Sequence, residues 1–375
     1  MYHPRDTVTL WKKADKSQVD NNWYKIHYFQ RKRMQGDNKG QLQKIYGPVH
    51  PSRLSQEVLD QYLEIQLRSL LDCAGTHEIK IYQGHLADLV LPGLGVPHVQ
   101  ETALTLHQLY GSPYISGSSL KGAVRNWALQ AFFEGEEEKA AVADSLAGDF
   151  FRTIFGTQDQ RGRVQFYDVF FMNCEIIPEI MTVHFRRYYE GKSPPTDQED
   201  PMPIAFYGVK GRARVILTLE KLITNPPDLL KVAGSWTVKA LSELGVGSKT
   251  ALGYGRFADV EDVTGELLAE LAQAKELEMQ KEQKTRAKEQ VERMLASLSR
   301  GERLAYEISS LGQDARDQER SKGELYQEFL SLSRDDQIVA ARALKEYWIK
   351  SGDWQKPSKK QKEKNIFLLR LLEST

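Results

Sequence analysis

Hydrophobic positions along the 375 residues of this chain change period several times, and each change predicts an element. Across residues 55–71, Val58, Leu59, Tyr62, Ile65, Leu67 and Leu70 recur at helical spacing, and Gly75 ends the pattern. Residues 78–91 alternate through Ile79, Ile81, Leu86, Leu89 and Leu91 like a strand, then enter a turn rich in glycine and proline. Leu120, Ala123, Val124, Trp127, Ala128, Ala131 and Phe132 follow the series expected of a helix with one buried face, and Ser118 or Ser119 is the natural N-cap. Residues 164–172 are apolar enough to form one strand buried on both faces, and 205–219 return to strand with Val215, Leu217 and Leu219 on one side. Leu229, Ala233, Trp236, Ala240 and Leu244 mark a second helix, and residues 254–260 a closing strand.

Strand, helix, strands, helix, strand is the order of a split βαβ, ferredoxin-like α+β core with insertions. After residue 265 the pattern changes again. Residues 266–298 are dominated by Ala, Glu, Lys, Gln and Leu and lack proline and glycine, which predicts a long polar helix. Helical patterns follow over 324–332, 335–350 and 359–372, so the core carries an all-helical C-terminal extension. Trp348, Trp354 and the apolar stretch 366–372 are its candidate anchors for self-packing or a partner. The expected division is an arm and packing helix over 1–77, the core over 78–262 and the helical module over 263–375.

Charge refines this picture locally. Fifty-one basic residues balance fifty-one acidic ones, so no global attraction to nucleic acid is expected. Residues 1–53 nevertheless hold a surplus of seven cations, and Trp11, Trp23, Tyr24, Tyr28 and Phe29 run into Arg31, Lys32 and Arg33. Aromatics that stack on bases beside cations that hold phosphates suit single-stranded nucleic acid, and a solvated arm with anchoring rings suits the same pattern. His184, Arg186 and Arg187 among Phe185, Tyr188 and Tyr189 pose the same choice between RNA contact and a solvated edge strand. Cys73 and Cys174 offer neither a disulfide framework nor a metal pair; both read as packing residues of a reducing compartment. Without an apolar leader or a run of eighteen apolar residues, a cytoplasmic protein with no membrane association is the expectation.

Two loops carry the candidate chemistry. In Gly245-Val246-Gly247-Ser248-Lys249-Thr250-Ala251-Leu252-Gly253-Tyr254-Gly255-Arg256, four glycines allow positive φ and close approach to an anion. A phosphate-binding NTPase loop needs Lys directly after Gly between a strand and a helix; here Ser248 intervenes, and the loop follows a helix and precedes a strand. A dinucleotide fingerprint fails because Thr250 stands where the third glycine is needed. No metal-ligand motif occurs, so neither a metal nor a cofactor is expected. In the second loop, Gly117, Ser118 and Ser119 precede Lys121 and Arg125, one turn apart on one side, where helix-start amides and cations together make an anion site.

The two loops together resemble the RAMP superfamily of CRISPR proteins, which carry a C-terminal glycine-rich loop like Gly245 to Arg256. Within it they are most similar to the subunits that cap the crRNA 3′ end in type III-B Cmr complexes, where a segment like Pro113-Tyr114-Ile115-Ser116-Gly117-Ser118-Ser119-Leu120-Lys121-Gly122-Ala123-Val124-Arg125 precedes the glycine loop. Gly93-Leu94-Gly95-Val96-Pro97-His98 and Pro203-Ile204-Ala205-Phe206 add to the likeness, which covers residues 78–260; Ser116 departs from the proline more often found there. The resemblance implies a non-catalytic subunit that binds crRNA, helps position target RNA and assembles with other RAMP subunits. The alternative it leaves open is a metal-independent endoribonuclease trimming crRNA, with His184 or His107 as base.

Overall fold

A computed structural model of the chain describes residues 19–27, 49, 52–96, 102–183, 185–196, 202–310 and 322–373. In order, α1 is Asn22–His27, α2 Arg53–Cys73, β1 His77–Leu86, β2 Tyr114–Ile115, α3 Gly117–Phe133, α4 Glu137–Val142, α5 Leu146–Phe155, β3 Val164–Phe166, β4 Val169–Val183, α6 Arg186–Tyr189 and β5 Met202–Glu220. Then α7 Leu229–Lys239 tightens into a π turn over Ala240–Leu244, a 3₁₀ turn covers Thr250–Leu252, and β6 Phe257–Asp262 closes the sheet. The extension holds α8 Thr264–Ser297, α9 Arg300–Ser310, α10 Lys322–Ser331, α11 Arg334–Lys350 and α12 Lys359–Glu373.

Compact packing divides the chain into Met1–Gln273 and Ala274–Thr375. In the first unit the sheet runs β2-β4-β5-β1-β6, with β3 on the far end of β5 and every pairing antiparallel. With β2 and β3 set aside, the order is fourth, first, third, second, and α3 and α7 are the two crossovers: the ferredoxin-like arrangement.

Strand alternation decides what each face meets. Ala213, Val215, Leu217 and Leu219 of β5 point into the main core with Leu120, Val124 and Ala128 of α3, Phe151 and Ile154 of α5, and Ala233 and Trp236 of α7. On the opposite face, Ile216 meets Ile79 and Ile81 of β1, Leu67 and Leu70 of α2, and the partly buried Leu267, Leu268 and Leu271 of α8. The first turns of α8 therefore pack on the sheet although its composition is polar throughout.

Three sequence expectations are corrected by this packing. Residues 164–172 are not one strand but β3 and β4 along the same edge of β5: the Tyr167 amide still donates to Ile216 at 3.2 Å, and the ladder is interrupted from Asp168, whose side chain accepts from the start of α3. The buried stripe of α3 is Leu120, Val124, Ala128, Leu129 and Phe133; Phe132 is 47% exposed, its place near the helix end taken by the next residue. Cys174 is buried, but Cys73 is exposed at the end of α2 and is not a packing residue.

In the second unit, Leu304 and Ile308 of α9, Phe329 of α10, Leu344 and Trp348 of α11 and Leu368 of α12 share one core. Gly301 is needed where α9 meets α11, since a Cβ there would collide with the Asp336 backbone carbonyl. The Asp336 carboxylate accepts from Ser299 Oγ at 2.7 Å and from the Gly301 amide at 3.0 Å, which draws its pKa down.

Candidate functional site

The glycine loop is built on a short extended segment that leaves β1. Val90 bridges Val209 of β5 with both backbone hydrogen bonds at 2.9 Å, so the carbonyls of Leu89 and Leu91 face the other way. Gly255 donates its amide to Leu89 at 2.8 Å, and Ser248 donates to Leu91 at 3.0 Å. The two arms of the loop then cross, with the Val246 amide bonded to the Gly255 carbonyl at 3.0 Å. Here glycine is a steric requirement: a Cβ on Gly255 would strike the Val246 carbonyl, and one on Gly245 would lie 2.9 Å from the Gly255 backbone. Only Gly253, at φ 98°, has open space around its missing Cβ. Much of the loop's donor capacity is thus spent on its own fold rather than left for an anion.

Across from the loop stands α3. Its N-cap is Ser116, whose Oγ accepts from the Ser119 amide at 3.2 Å; this corrects the expectation of Ser118 or Ser119. The cap lies two to three residues earlier than expected, and the next residue, Gly117, passes so close to the Phe166 carbonyl that no Cβ fits there. Trp127 donates its indole N–H to Glu243 at 2.7 Å, which ties α3 to the π turn that launches the loop.

Between them runs an open groove of about 690 Å³. Gly93, Ser119, Gly122 and Asn126 form one side, and Gly245, Gly247, Ser248, Thr250 and Arg256 the other. Four glycines allow a ligand to touch backbone, the hydroxyl and amide side chains supply neutral hydrogen bonds, and the exposed Arg256 supplies the positive charge. Such a wall fits a sugar–phosphate chain better than a small apolar molecule.

The other sequence-predicted residues are placed elsewhere. Ser118 and Lys121 line a second cleft on the other flank of α3. Arg125 is engaged by the chain's own residues at the surface, paired with Glu137 and lying over the Phe151 ring at 5.2 Å. Lys249 is half-buried in the left-handed conformation at φ 58°. Tyr254 turns away from the groove to pack edge-on against Phe206. Gly253 lies at the tip beside Leu252, which is 73% exposed. Arg187 is exposed on α6, and the backbone of Arg186 lies in the same turn, where the sequence suggested an edge strand. Arg31, Lys32, Arg33 and His184 lie outside the described residues. His107 is stacked on Tyr110 at 4.3 Å and flanked by Tyr114 and Phe170. Among the described residues no group of three metal-ligating side chains converges, and no helix is long and apolar enough to cross a membrane. Sequence reasoning missed Gly122 and Asn126, since a glycine inside a helical pattern gives no sign of which face it opens.

Known proteins match the same region. The RAMP superfamily profile matches residues 77–258. The CRISPR system Cmr subunit Cmr6 of Pyrococcus furiosus is 30% identical over 220 residues, covering 44% of this chain and 64% of that protein, so the chain spans a little under two thirds of that relative's length. Among solved structures, a chain of the type III-B Cmr-beta complex bound to cognate target RNA aligns with a TM-score of 0.43 and 19% identity over 55% of this chain and 67% of that one. The crystal structure of Cmr6 from Pyrococcus furiosus aligns with a TM-score of 0.33 and 27% identity over 48% of this chain and 97% of that one. The matched residues contain β1, α3, the central strands and the glycine loop with both walls of the groove, and over them this chain is similar to the RAMP superfamily and to the Cmr6 subunit of a CRISPR system.

Proposed function

We propose that the chain is a non-catalytic, RNA-binding subunit of a Cmr-type effector complex, and that the groove between α3 and the glycine loop holds crRNA near its 3′ end. The observation that carries this is the groove itself: two separate sequence motifs meet across it, with glycine on both sides and Arg256 at its edge. A flexible polyanion needs close backbone approach, neutral hydrogen-bond partners for sugar and phosphate, and modest positive charge, and these residues offer all three. Target RNA and other RAMP subunits are the remaining partners in this reading. His107, held among the rings of Tyr110, Tyr114 and Phe170, supports a structural role better than a base.

Gly122 gives a direct test, because nothing lies within 4 Å of the position a Cβ would occupy. Gly122→Glu places a carboxylate in the groove without a clash and should weaken binding of crRNA by the full chain at least about tenfold, while Gly122→Lys should not. Equal binding by both variants and the parent would refute the groove as the RNA site.

A further inference from the structure

On the flank of α3 away from the glycine loop lies a second cleft, of about 520 Å³, walled by the start of α3, the loop between α5 and β3, and the end of β5. Lys121, Arg161 and Arg163 all line it, and Glu220 is the one carboxylate among its described lining residues. Arg163 Nη1 donates to Thr224 Oγ1 at 2.8 Å and to Asn225 Oδ1 at 2.7 Å, both neutral. Neither Lys121 nor Arg161 is ion-paired among the described residues, although most lysines and arginines near α3 and α4 are: Arg125 with Glu137, Lys139 with Glu134, Arg152 with Asp149.

Backbone geometry, not opposite charge, holds these cations together. Gly156 is at φ 88°, and a Cβ there would lie 2.5 Å from the Gly162 amide; a Cβ on Gly162 would collide with the Ile154 carbonyl. The Thr157 amide bonds to Gln160 and the Arg163 amide to Thr153, each at 2.8 Å, so the loop is pinned at both ends. Burial, with the guanidiniums of Arg161 and Arg125 nearby, holds the Lys121 ammonium below the ordinary lysine range. Like charges brought together by a rigid scaffold cost free energy, and an anion entering among them recovers it.

We infer that this cleft binds a backbone phosphate of single-stranded RNA, with Arg161 as the principal contact and Lys121 and Arg163 beside it. The inference rests on the RNA reading of the groove and extends it to a second grip. The two sites share the first turn of α3: Ser118 and Lys121 line the cleft, Ser119 and Gly122 the groove. One strand crossing that turn meets both.

Arg161 is exposed, with no side-chain hydrogen bond or ion pair among the described residues, so Arg161→Ala is expected to leave folding intact, which circular dichroism checks. The measurement is the affinity of the full chain for a fluorescein-labelled single-stranded RNA of mixed sequence, over a series of salt concentrations. Arg161→Ala should weaken binding about tenfold and lower the slope of log K against log salt by about 0.7, the release expected for one phosphate contact on a single strand. Arg161→Lys should keep most of the slope. Unchanged affinity and slope in Arg161→Ala, while Gly122→Glu still weakens binding, would overturn the cleft and leave the groove standing. Calorimetric uptake of inorganic phosphate that depends on Arg161, without any Arg161-dependent change in RNA affinity, would also overturn it, in favour of a free-phosphate site.

Discussion

Asp168 Oδ1 accepts a hydrogen bond from the Gly117 amide at 2.7 Å, so the start of α3 already holds an anion supplied by the chain itself. With the Ser119 amide bonded to Ser116 Oγ, two of the orphan donors of the helix are satisfied internally. Asp168 stands directly before β4, so the bond ties the start of that strand to the start of α3. Asp168→Ala should therefore destabilise the first unit by about 1–2 kcal/mol, read as a lower urea midpoint, and Asp168→Asn, which keeps an acceptor oxygen, should lose much less. Equal loss in both variants would mean that charge rather than the cap is the stabilising factor.

The glycine loop predicts losses of different size for two nearby glycines, Gly253 and Gly255. Gly255→Ala would drive a Cβ into the Val246 carbonyl at the crossing of the arms, and the loop cannot close without moving both. Its cost should exceed about 3 kcal/mol and show as poor folding. Gly253→Ala meets nothing, so only the left-handed backbone at φ 98° is strained, at about 1–2 kcal/mol. Thermal melts of the two variants distinguish a packing role for Gly255 from a conformational one for Gly253.

Arg125 should behave as a structural residue. Its pairing with Glu137 holds that carboxyl below the usual range, and its guanidinium covers Phe151 at the edge of the main core. Arg125→Ala is expected to lower the melting temperature while leaving the salt slope of RNA binding unchanged. A reduced slope with unchanged stability would return Arg125 to the RNA contact that its sequence position suggested.

Alkaline pH probes the packing of α7 on β1. Tyr82 is only 6% exposed, and its hydroxyl occupies the space that Gly234 leaves by lacking a Cβ. Burial, with Asp262 nearby, pushes its phenol up to about 12. The folded state therefore keeps this proton at pH values where the unfolded chain, titrating near 10, loses it. That contribution to stability is complete below about pH 10 and is lost as the pH rises towards 12. Urea titrations should show a steeper fall over this window in the parent than in Tyr82→Phe; identical slopes would contradict the assignment.

The order of elements was legible because each depends on a local period. The β5 face of Val215, Leu217 and Leu219 and the helix ending at Leu244 are visible as alternation and as 3.6-residue spacing. The breaks were hidden, since they depend on partners distant in sequence. Nothing local to residues 164–172 tells that Asp168 is needed by Gly117, fifty-one positions away. The same holds for the sites. Glycines flag a loop, but whether each one admits a ligand or another strand of the same loop depends on Leu89, Leu91 and Val246. Arg161 and Arg163 sit in a polar turn without periodicity, and only the fold brings them to Lys121. The helix α9 escaped notice because its pattern is short and follows directly on the long polar helix before it.

Photocrosslinking reads out whether RNA lies between α3 and the glycine loop. The full chain is bound to a 4-thiouridine-substituted single-stranded RNA, irradiated and digested, and the modified peptides are mapped by mass spectrometry. RNA in the groove gives adducts on peptides spanning Ser119 to Gln130 and Leu244 to Arg256, the two walls of the groove, and these are lost in Gly122→Glu. Adducts confined to the helical unit Ala274–Thr375, with both walls unmodified, would contradict that placement.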